Sequence, residues 1–242
     1  MTRIFLAAEW RYLAMLNYEI DPAILHPLVP KDTELDAWNG RYFVSIVGFQ
    51  FLNTRVLGLP IPFHINFEEA NLRFYVRYRG PEGWRRGVVF IKELVPRRAI
   101  AAVARLVYNE NYQALPMTHV VKQEKLNGQQ SYYVGYSWYF NHRWQGIEVQ
   151  AHGQPAPLIS GSEEAFITEH YWGYTALRNG GTAEYQVEHP PWSVWAANEV
   201  KFDCDVARLY GEQFVKTLQA APSSTFLADG SAVIVRRGQR IS

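Results

Sequence analysis

The chain has 242 residues, of which 48% are apolar and 15% aromatic, and 24 Lys+Arg against 23 Asp+Glu leave a formal net charge of +1 at pH 7. This composition excludes a disordered chain and argues against nucleic-acid binding, because phosphate affinity needs clustered excess cations. No segment approaches the roughly 18 consecutive apolar residues of a membrane span, and the single cysteine cannot form an intramolecular disulfide. We therefore expect a cytoplasmic protein with one sizeable core, folded as a single domain over residues 1–242.

The chain begins with a predicted strand followed by a short helix. Residues 11–20 carry apolar side chains at alternate positions and also on the opposite face, which predicts a strand buried on both sides. Asp21 and Pro22 are typical of a helix N-cap and the first helical position, so a helix is predicted to continue to Leu28.

Turn-forming segments, three of them dipeptides, then predict four hairpins. Asn-Gly and Asp-Gly pairs favour type I′ turns, because these residues tolerate positive φ. The predicted hairpins join residues 34–38 with 41–52 at Asn39-Gly40, residues 69–79 with 87–94 at Gly80 to Gly83, residues 118–125 with 129–140 at Asn127-Gly128, and two C-terminal strands at Asp229-Gly230. Further strands are predicted at residues 147–151 and 182–188.

Three more helices are predicted between and after these strands. Residues 97–107 have apolar side chains at helical spacing, the Ser160 to Glu163 segment resembles a capping box, and Asp205 is a suitable N-cap for a helix ending near Leu218. Strands nevertheless dominate, so the predicted fold class is mainly β, a β-rich α+β fold.

One strand combines ionisable groups with an otherwise apolar sequence. Strand alternation places Glu69, Asn71 and Arg73 on one face, and Leu72 and Phe74 on the other. If the polar face points into a barrel, a carboxylate and a guanidinium share its cavity. A structural ion pair at a sheet edge is the alternative interpretation.

A second group of candidate residues lies in the run from Glu169 to Tyr174, which contains an acid, an imidazole and three aromatic rings. Imidazole suits proton transfer near neutral pH, and a carboxylate can orient it, so Glu169 and His170 are candidate catalytic residues. Aromatic residues such as Trp172 could line a ligand cavity. The alternative is an aromatic core strand with a surface histidine.

Other common catalytic patterns are missing from the sequence. The histidines show no compact metal-ligand spacing, so neither a metal nor another cofactor is expected. Ser162 lacks a nucleophile-elbow pattern, and Cys204 has no nearby histidine, so Cys204 is interpreted as a small buried hydrophobe.

Four segments together resemble the YqjF-like family: residues 9–18 (EWRYLAMLNY), 66–75 (NFEEANLRFY), 168–174 (TEHYWGY) and 226–230 (FLADG). This resemblance covers nearly the whole chain. The YqjF-like family, domain of unknown function 2071, is placed in the acetoacetate decarboxylase-like superfamily. The resemblance therefore implies a closed, cone-like β-barrel with a few peripheral helices and an internal ligand cavity.

The resemblance to the decarboxylases also implies particular site residues. Arg11, ten residues before Asp21, resembles their carboxylate-binding arginine, and Glu69 resembles one of their cavity glutamates. Their second cavity glutamate is replaced by Val47, and their paired lysines fall near Tyr112 and Gln113.

This replacement of the lysines bears directly on the chemistry. The sequence has no lysine between Lys92 and Lys122, and a Schiff-base mechanism needs a primary amine. Tyr112 can instead donate a hydrogen bond where the amine would stand.

These residues predict a protein that binds a small organic acid or carbonyl compound in an internal cavity. As an enzyme, it would use Arg11, Arg73 and Trp172 to bind the ligand, and Glu69, Tyr112 and the Glu169–His170 pair for hydrogen bonding and proton transfer. A non-catalytic small-molecule binder or sensor would use the same cavity. An interaction protein with exposed aromatic residues is a third possibility. No nucleic-acid or membrane partner is expected.

Overall fold

A computed structural model describes residues 3–97, 110–126 and 129–242 of the chain. In these ranges it contains one sheet of sixteen strands. The strands are β1 (Ile4–Glu19), β2 (Thr33–Leu35), β3 (Phe43–Val56), β4 (Leu59–Pro60), β5 (Phe67–Gly80), β6 (Gly83–Val95), β7 (Tyr112–Ala114), β8 (Met117–Leu126), β9 (Gln129–Phe140), β10 (Arg143–His152), β11 (Ala156–Pro157), β12 (Trp172–Ala176), β13 (Thr182–Glu188), β14 (Ser193–Asp203), β15 (Ser224–Arg236) and β16 (Gln239–Arg240).

Helices are short in the described ranges, which confirms the mainly β class. They are α1 (Pro22–Leu25), α2 (Glu163–Thr168), α3 (Val206–Leu209), α4 (Val215–Leu218) and the 3₁₀ segments His26–Leu28 and Glu212–Phe214. The predicted caps are present: the Asp21 carboxylate accepts from the Ala23 amide at 2.9 Å, and the Ser162 hydroxyl accepts from the Ala165 amide at 3.2 Å. The helix predicted over residues 97–107 falls, apart from Arg97, outside the described residues.

Seven strands follow one another in a closed sequence of backbone pairings. The order is β12, β6, β5, β3, β1, β15 and β13, and β13 pairs again with β12. All these pairings are antiparallel except β12 with β6. From β15 the sheet continues outward through β14, β10, β9 and β8.

Strand β1 is buried on both faces, as its sequence predicts. Ala14, Leu16 and Tyr18 pack into one apolar core, whereas Leu13 and Met15 pack into a second core on the other face. Successive side chains of a strand point to opposite faces, so one apolar strand serves both cores.

The predicted turn at Asn39-Gly40 forms, but the hairpin around it does not. Both residues have positive φ, 51° and 77°, and the Trp38 and Arg41 backbones exchange two hydrogen bonds of 3.0 Å. Beyond this bridge the flanking strands find other partners, since β2 pairs with β5 and β3 pairs with β1 and β5.

The predicted β5–β6 hairpin is confirmed, and β8 pairs with β9 as expected. The turn at Asn127-Gly128 lies outside the described residues. A further tight turn at Asn141 and His142, with φ of 49° and 63°, joins β9 to β10 and was not predicted.

The predicted C-terminal hairpin at Asp229-Gly230 is wrong, because β15 runs through it without a break. Gly230 lies opposite Arg11 of β1, with φ of +77°, and a Cβ atom there would stand 2.0 Å from the Trp10 carbonyl oxygen. The close approach of β1 and β15 therefore explains why this position has a glycine, which lacks a Cβ atom. The predicted helix after Asp205 is likewise interrupted at Gly211, where φ is 115°.

We expect Gly230→Ala to destabilise the protein more than Gly40→Ala, although φ is +77° at both positions. At Gly40 no atom of the described residues lies within 4 Å of the position that a Cβ atom would take, so its substitution carries only the left-handed backbone cost of about 1–2 kcal/mol. The clash at Gly230 adds about 1–2 kcal/mol more. Urea unfolding of both variants measures the difference, and equal losses would contradict the close-approach explanation.

Candidate functional site

A pocket of about 200 Å³ is lined by residues from each of the seven strands of the closed pairing sequence. Much of the wall is aromatic, including Trp10, Phe51 and Phe67, and the last two rings stack at 4.6 Å. Several ionisable or polar groups also reach the pocket: Glu69, Asn71, Arg73, Glu93, Glu110, Tyr112, His170, Tyr185 and His189. A mostly apolar pocket with a few convergent polar groups is typical of a small-molecule site.

Alternation along β5 directs Glu69, Asn71 and Arg73 into the pocket, while Leu72 and Phe74 pack into the core on the other face. This is the arrangement that the spacing of the sequence predicts. All three polar residues are buried, at 2%, 1% and 9% exposure.

Glu69 is held by two hydrogen bonds within the pocket. The Asn71 amide donates to one carboxyl oxygen at 3.0 Å, and the Tyr112 hydroxyl donates to the other at 3.2 Å. Burial raises the pKa of Glu69 to about 7, against the opposing effects of these bonds and of the Arg73 charge. The carboxyl group can therefore give or take a proton near neutral pH.

Two further buried carboxyl groups, Glu93 and Glu110, were missed by sequence reasoning. The Tyr185 hydroxyl donates to Glu110 at 3.2 Å, and burial raises the pKa of Glu110 to about 8. Burial and the nearby Glu110 and Glu69 carboxyls raise the pKa of Glu93 well above its usual value. A signal existed for Glu93, because it is an acid in the apolar run of β6.

Arg73 is a buried cation without an anionic partner. Among the described residues no carboxylate lies within 4.0 Å of its guanidinium, whose Nη2 reaches only the Ile167 carbonyl oxygen, at 3.5 Å. Its Nε has no hydrogen-bond partner in the part of the chain that the structure describes. Burying an unpaired charge is costly, so this guanidinium is a strong site for an incoming anion.

His170 lies at the pocket wall rather than on the surface, with 7% of the residue exposed. Its Nε2 donates to the Asp36 carboxylate at 3.2 Å, and Asp36 also accepts from Arg86 at 2.7 Å. Burial lowers the pKa of His170 to about 4, so the ring is neutral at pH 7. With Nε2 protonated, Nδ1 is an acceptor, and it has no partner among the described residues.

The other predicted site residues occupy different positions. Arg11 lies outside the pocket, 38% exposed at its side chain, and pairs with Glu9 at 2.8 Å. The inward position on β1 is taken by the preceding residue, Trp10. Glu169 caps the C-terminal end of α2 and does not line the pocket, whereas Trp172 does, with Arg85 4.3 Å above its ring. Neither Arg11 nor Glu169 therefore joins Glu69 there.

The described part of the chain offers no group of three or more His, Cys, Asp or Glu side chains arranged to hold a metal ion. None of its helices has the length and apolarity needed to cross a bilayer. Cys204 is a free thiol, and burial raises its pKa to about 12, which keeps it protonated at neutral pH.

The fold defined by these strands is that of acetoacetate decarboxylase-like proteins. The acetoacetate decarboxylase of Legionella pneumophila subsp. pneumophila strain Philadelphia 1 matches with a TM-score of 0.64 at 12% identity, over 98% of this chain and 87% of that one. MppR, an enduracididine biosynthesis enzyme solved with pyruvate, matches with a TM-score of 0.65 at 11% identity, over 100% and 91%. An acetoacetate decarboxylase-like enzyme from Sphingomonas wittichii RW1 matches with a TM-score of 0.64 at 12% identity, over 99% and 94%.

The chain belongs to the DUF2071 family, described as an uncharacterised conserved protein, whose model matches residues 7–232. The YqjF protein of Bacillus subtilis strain 168, itself uncharacterised, is 30% identical over 190 residues, which cover 76% of this chain and 72% of YqjF. The family resemblance carried by the sequence motifs is thus confirmed.

Proposed function

We propose that this chain is a single-domain, closed β-barrel whose internal cavity binds a small organic acid or carbonyl compound. The observation that carries this proposal is Arg73, a buried guanidinium at the pocket wall with no carboxylate within 4.0 Å among the described residues. A ligand carboxylate would supply the missing anion, and a guanidinium binds a carboxylate through two parallel hydrogen bonds. Arg73 thereby takes the role that the family resemblance assigned to Arg11.

The remaining polar groups suit the rest of such a ligand. A buried carboxyl group whose pKa is raised to about 8, as that of Glu110 is, holds its proton at neutral pH and can donate a hydrogen bond as well as accept one. Protonated carboxyl groups can therefore bind a carbonyl oxygen. The aromatic walls, including Trp10 and Trp172, would enclose the apolar part.

The pocket does not suit the Schiff-base chemistry of the decarboxylases. None of its described lining residues is a lysine, and the phenol of Tyr112 stands at the position that the resemblance assigns to the paired lysines. Lys92, half-buried on β6 and with its pKa lowered by burial, does not line the pocket. A phenol cannot form an imine with a carbonyl compound.

We therefore expect no covalent adduct when the protein is treated with acetoacetate and borohydride and analysed by intact mass spectrometry. A lysine-based decarboxylase treated in parallel is the positive control. A stable adduct mapped to Lys92 or Lys122 would contradict this expectation, because it would show that an amine reaches the ligand.

If the protein is an enzyme, the same groups would transfer protons to or from the ligand. Glu69, hydrogen-bonded to Tyr112 and with its pKa raised to about 7, is suited to act as a general acid or base, and neutral His170 is a second candidate. A non-catalytic binder or sensor would use the same contacts. Of the eight tryptophans only Trp84 and Trp144 are exposed, on different strands, which gives an interaction protein less support.

The proposed function is tested by native mass spectrometry of the purified protein, followed by denaturing extraction to identify any bound small molecule. We expect a bound compound that carries a carboxylate or carbonyl group. If the protein is purified without a ligand, we expect calorimetry to show saturable binding of pyruvate. Protein that holds nothing and binds neither pyruvate nor butyrate would refute the proposal.

A further inference from the structure

The polar end of the pocket carries unpartnered acceptors next to an unpartnered donor. Asn71 and Glu93 lie directly opposite each other on β5 and β6. Asn71 Oδ1 and Glu93 Oε2 are both buried and have no hydrogen-bond partner among the described residues. The unpartnered Nε of Arg73 belongs to the same face of β5, two residues along from Asn71.

The carboxyl groups and the guanidinium group of the pocket do not form ion pairs among the described residues. Glu69, Glu93 and Glu110 are buried at 2%, 2% and 5% exposure, and in the described ranges no lysine, arginine or histidine lies within 4.0 Å of their carboxyl oxygens. Arg73, in turn, has no carboxylate at that distance in the same ranges. The pocket therefore has an anion-binding position and, beside it, a cluster of carboxyl groups that could receive a cation.

We propose, building on the proposed function, that the ligand is an amino acid or another amino-substituted organic acid, with its carboxylate on Arg73 and its ammonium group on Asn71 and Glu93. An ammonium group has three donors and no acceptor, which matches two unpartnered acceptors with a carboxyl cluster beside them. An unsubstituted organic acid brings no ammonium group, so it would offer neither donors to Asn71 Oδ1 nor a positive charge to the carboxyl cluster.

The two ligand classes differ in the protons that accompany binding. An ammonium group beside Glu93 favours the charged carboxylate and lowers the pKa values of the cluster, so protons are released. A carboxylate bound to Arg73 alone cancels the charge that now lowers the pKa of Glu69, so protons are taken up. The pKa of His170 is about 4 and burial lowers that of His189, so neither ring contributes protons above pH 7.

Matched four-carbon probes test the proposal by calorimetry: 2-, 3- and 4-aminobutyrate, 3-hydroxybutyrate, butyrate and butylamine. The aminobutyrates place the ammonium group at three distances from the carboxylate. We expect at least one of them to bind tenfold or more tightly than butyrate, 3-hydroxybutyrate and butylamine. Measurements in phosphate and in Tris at pH 7.2 should show proton release for that aminobutyrate and proton uptake for butyrate.

Isosteric variants assign the ammonium position. Glu93→Gln should weaken aminobutyrate binding about tenfold, and it should weaken butyrate binding clearly less. Glu68→Gln is the control, because Glu68 lies on the outer face of β5 and contacts His119 at 2.5 Å.

Each other outcome is decisive. If butyrate binds and no aminobutyrate exceeds it, the inference is wrong while the proposed function stands. Equal affinity for 3-hydroxybutyrate and the best aminobutyrate would show that charge is irrelevant, which also overturns the inference. If butylamine binds tightly and Arg73→Met does not change its affinity, the pocket binds simple amines, and the inference of an amino-substituted acid is wrong. If none of the probes carrying a carboxylate binds, the proposed function itself fails.

Discussion

Replacing Arg73 with methionine is expected to reduce the affinity of the pocket for small carboxylates at least about 100-fold, or about 3 kcal/mol, as for loss of a buried charge-assisted pair. The reason is that Arg73 is the one arginine among the described lining residues, and none of the described residues accepts a hydrogen bond from its Nε. Methionine keeps much of the side-chain volume but has no donor. Calorimetric titration of pyruvate and butyrate into each variant measures the loss.

Arg11→Met is the matched control, because Arg11 is the carboxylate-binding residue that the family resemblance implies. Its guanidinium instead pairs with Glu9 in a partly exposed position, so its removal should change affinity less than twofold. Unfolding does not account for a loss in Arg73→Met, since removing an unpaired buried charge is neutral or stabilising. A large loss in Arg11→Met, with Arg73→Met unaffected, would reverse the assignment.

The stability of the folded protein is expected to fall as the pH rises from 6.5 to 8. Burial raises the pKa of Glu69 to about 7 and of Glu110 to about 8, from the unfolded value of 4.5, and raises that of Glu93 well above it. In this range the unfolded chain has already lost these protons, whereas the folded protein releases them only as the pH passes the raised pKa values, so rising pH favours unfolding. A group that stays fully protonated in the folded protein costs 1.36 kcal/mol per pH unit, and Glu69 and Glu110, which ionise partly in this range, together account for a loss of about 2.5 kcal/mol. Glu93 adds to this loss in the same direction.

Glu110→Gln isolates one contribution to this pH dependence. The introduced amide would keep an acceptor for the Tyr185 hydroxyl but cannot ionise, so the loss of stability between pH 6.5 and 8 should shrink by about 2 kcal/mol. The exposed Glu199→Gln is the control and should retain the full loss. Urea unfolding at both pH values measures the effect. A free energy of unfolding that stays constant or rises with pH would mean that the carboxyl cluster is already ionised in the folded protein.

Local elements were the most predictable part of the fold. Alternating apolar residues located β1 and β5, caps located α1 and α2, and the Asn39-Gly40 pair located a tight turn. Predictions were wrong where residues typical of one local structure make a tertiary contact instead. Asp229-Gly230 has the composition of a turn, but its glycine allows β1 and β15 to approach closely.

The candidate site, too, was predictable only where a local pattern carries it. The alternation of β5 predicts that Glu69, Asn71 and Arg73 share one face, and all three line the pocket. Glu110 could not be recognised in this way, because it belongs to no strand pattern or motif, and only the tertiary structure brings it to the pocket. Arg11 was assigned by resemblance alone, and strand alternation gives the inward position to Trp10.

The sequence by itself determined the mainly β class, the family and the absence of any lysine between Lys92 and Lys122, because periodicity, motifs and residue types are local properties of a chain. Only the tertiary structure decided which ionisable groups share the pocket. Glu69 and Arg73 lie on β5, Glu93 lies on β6 and Glu110 precedes β7, and their proximity depends on the pairing of β6 with both β5 and β7. Their protonation follows from burial, which no local pattern specifies.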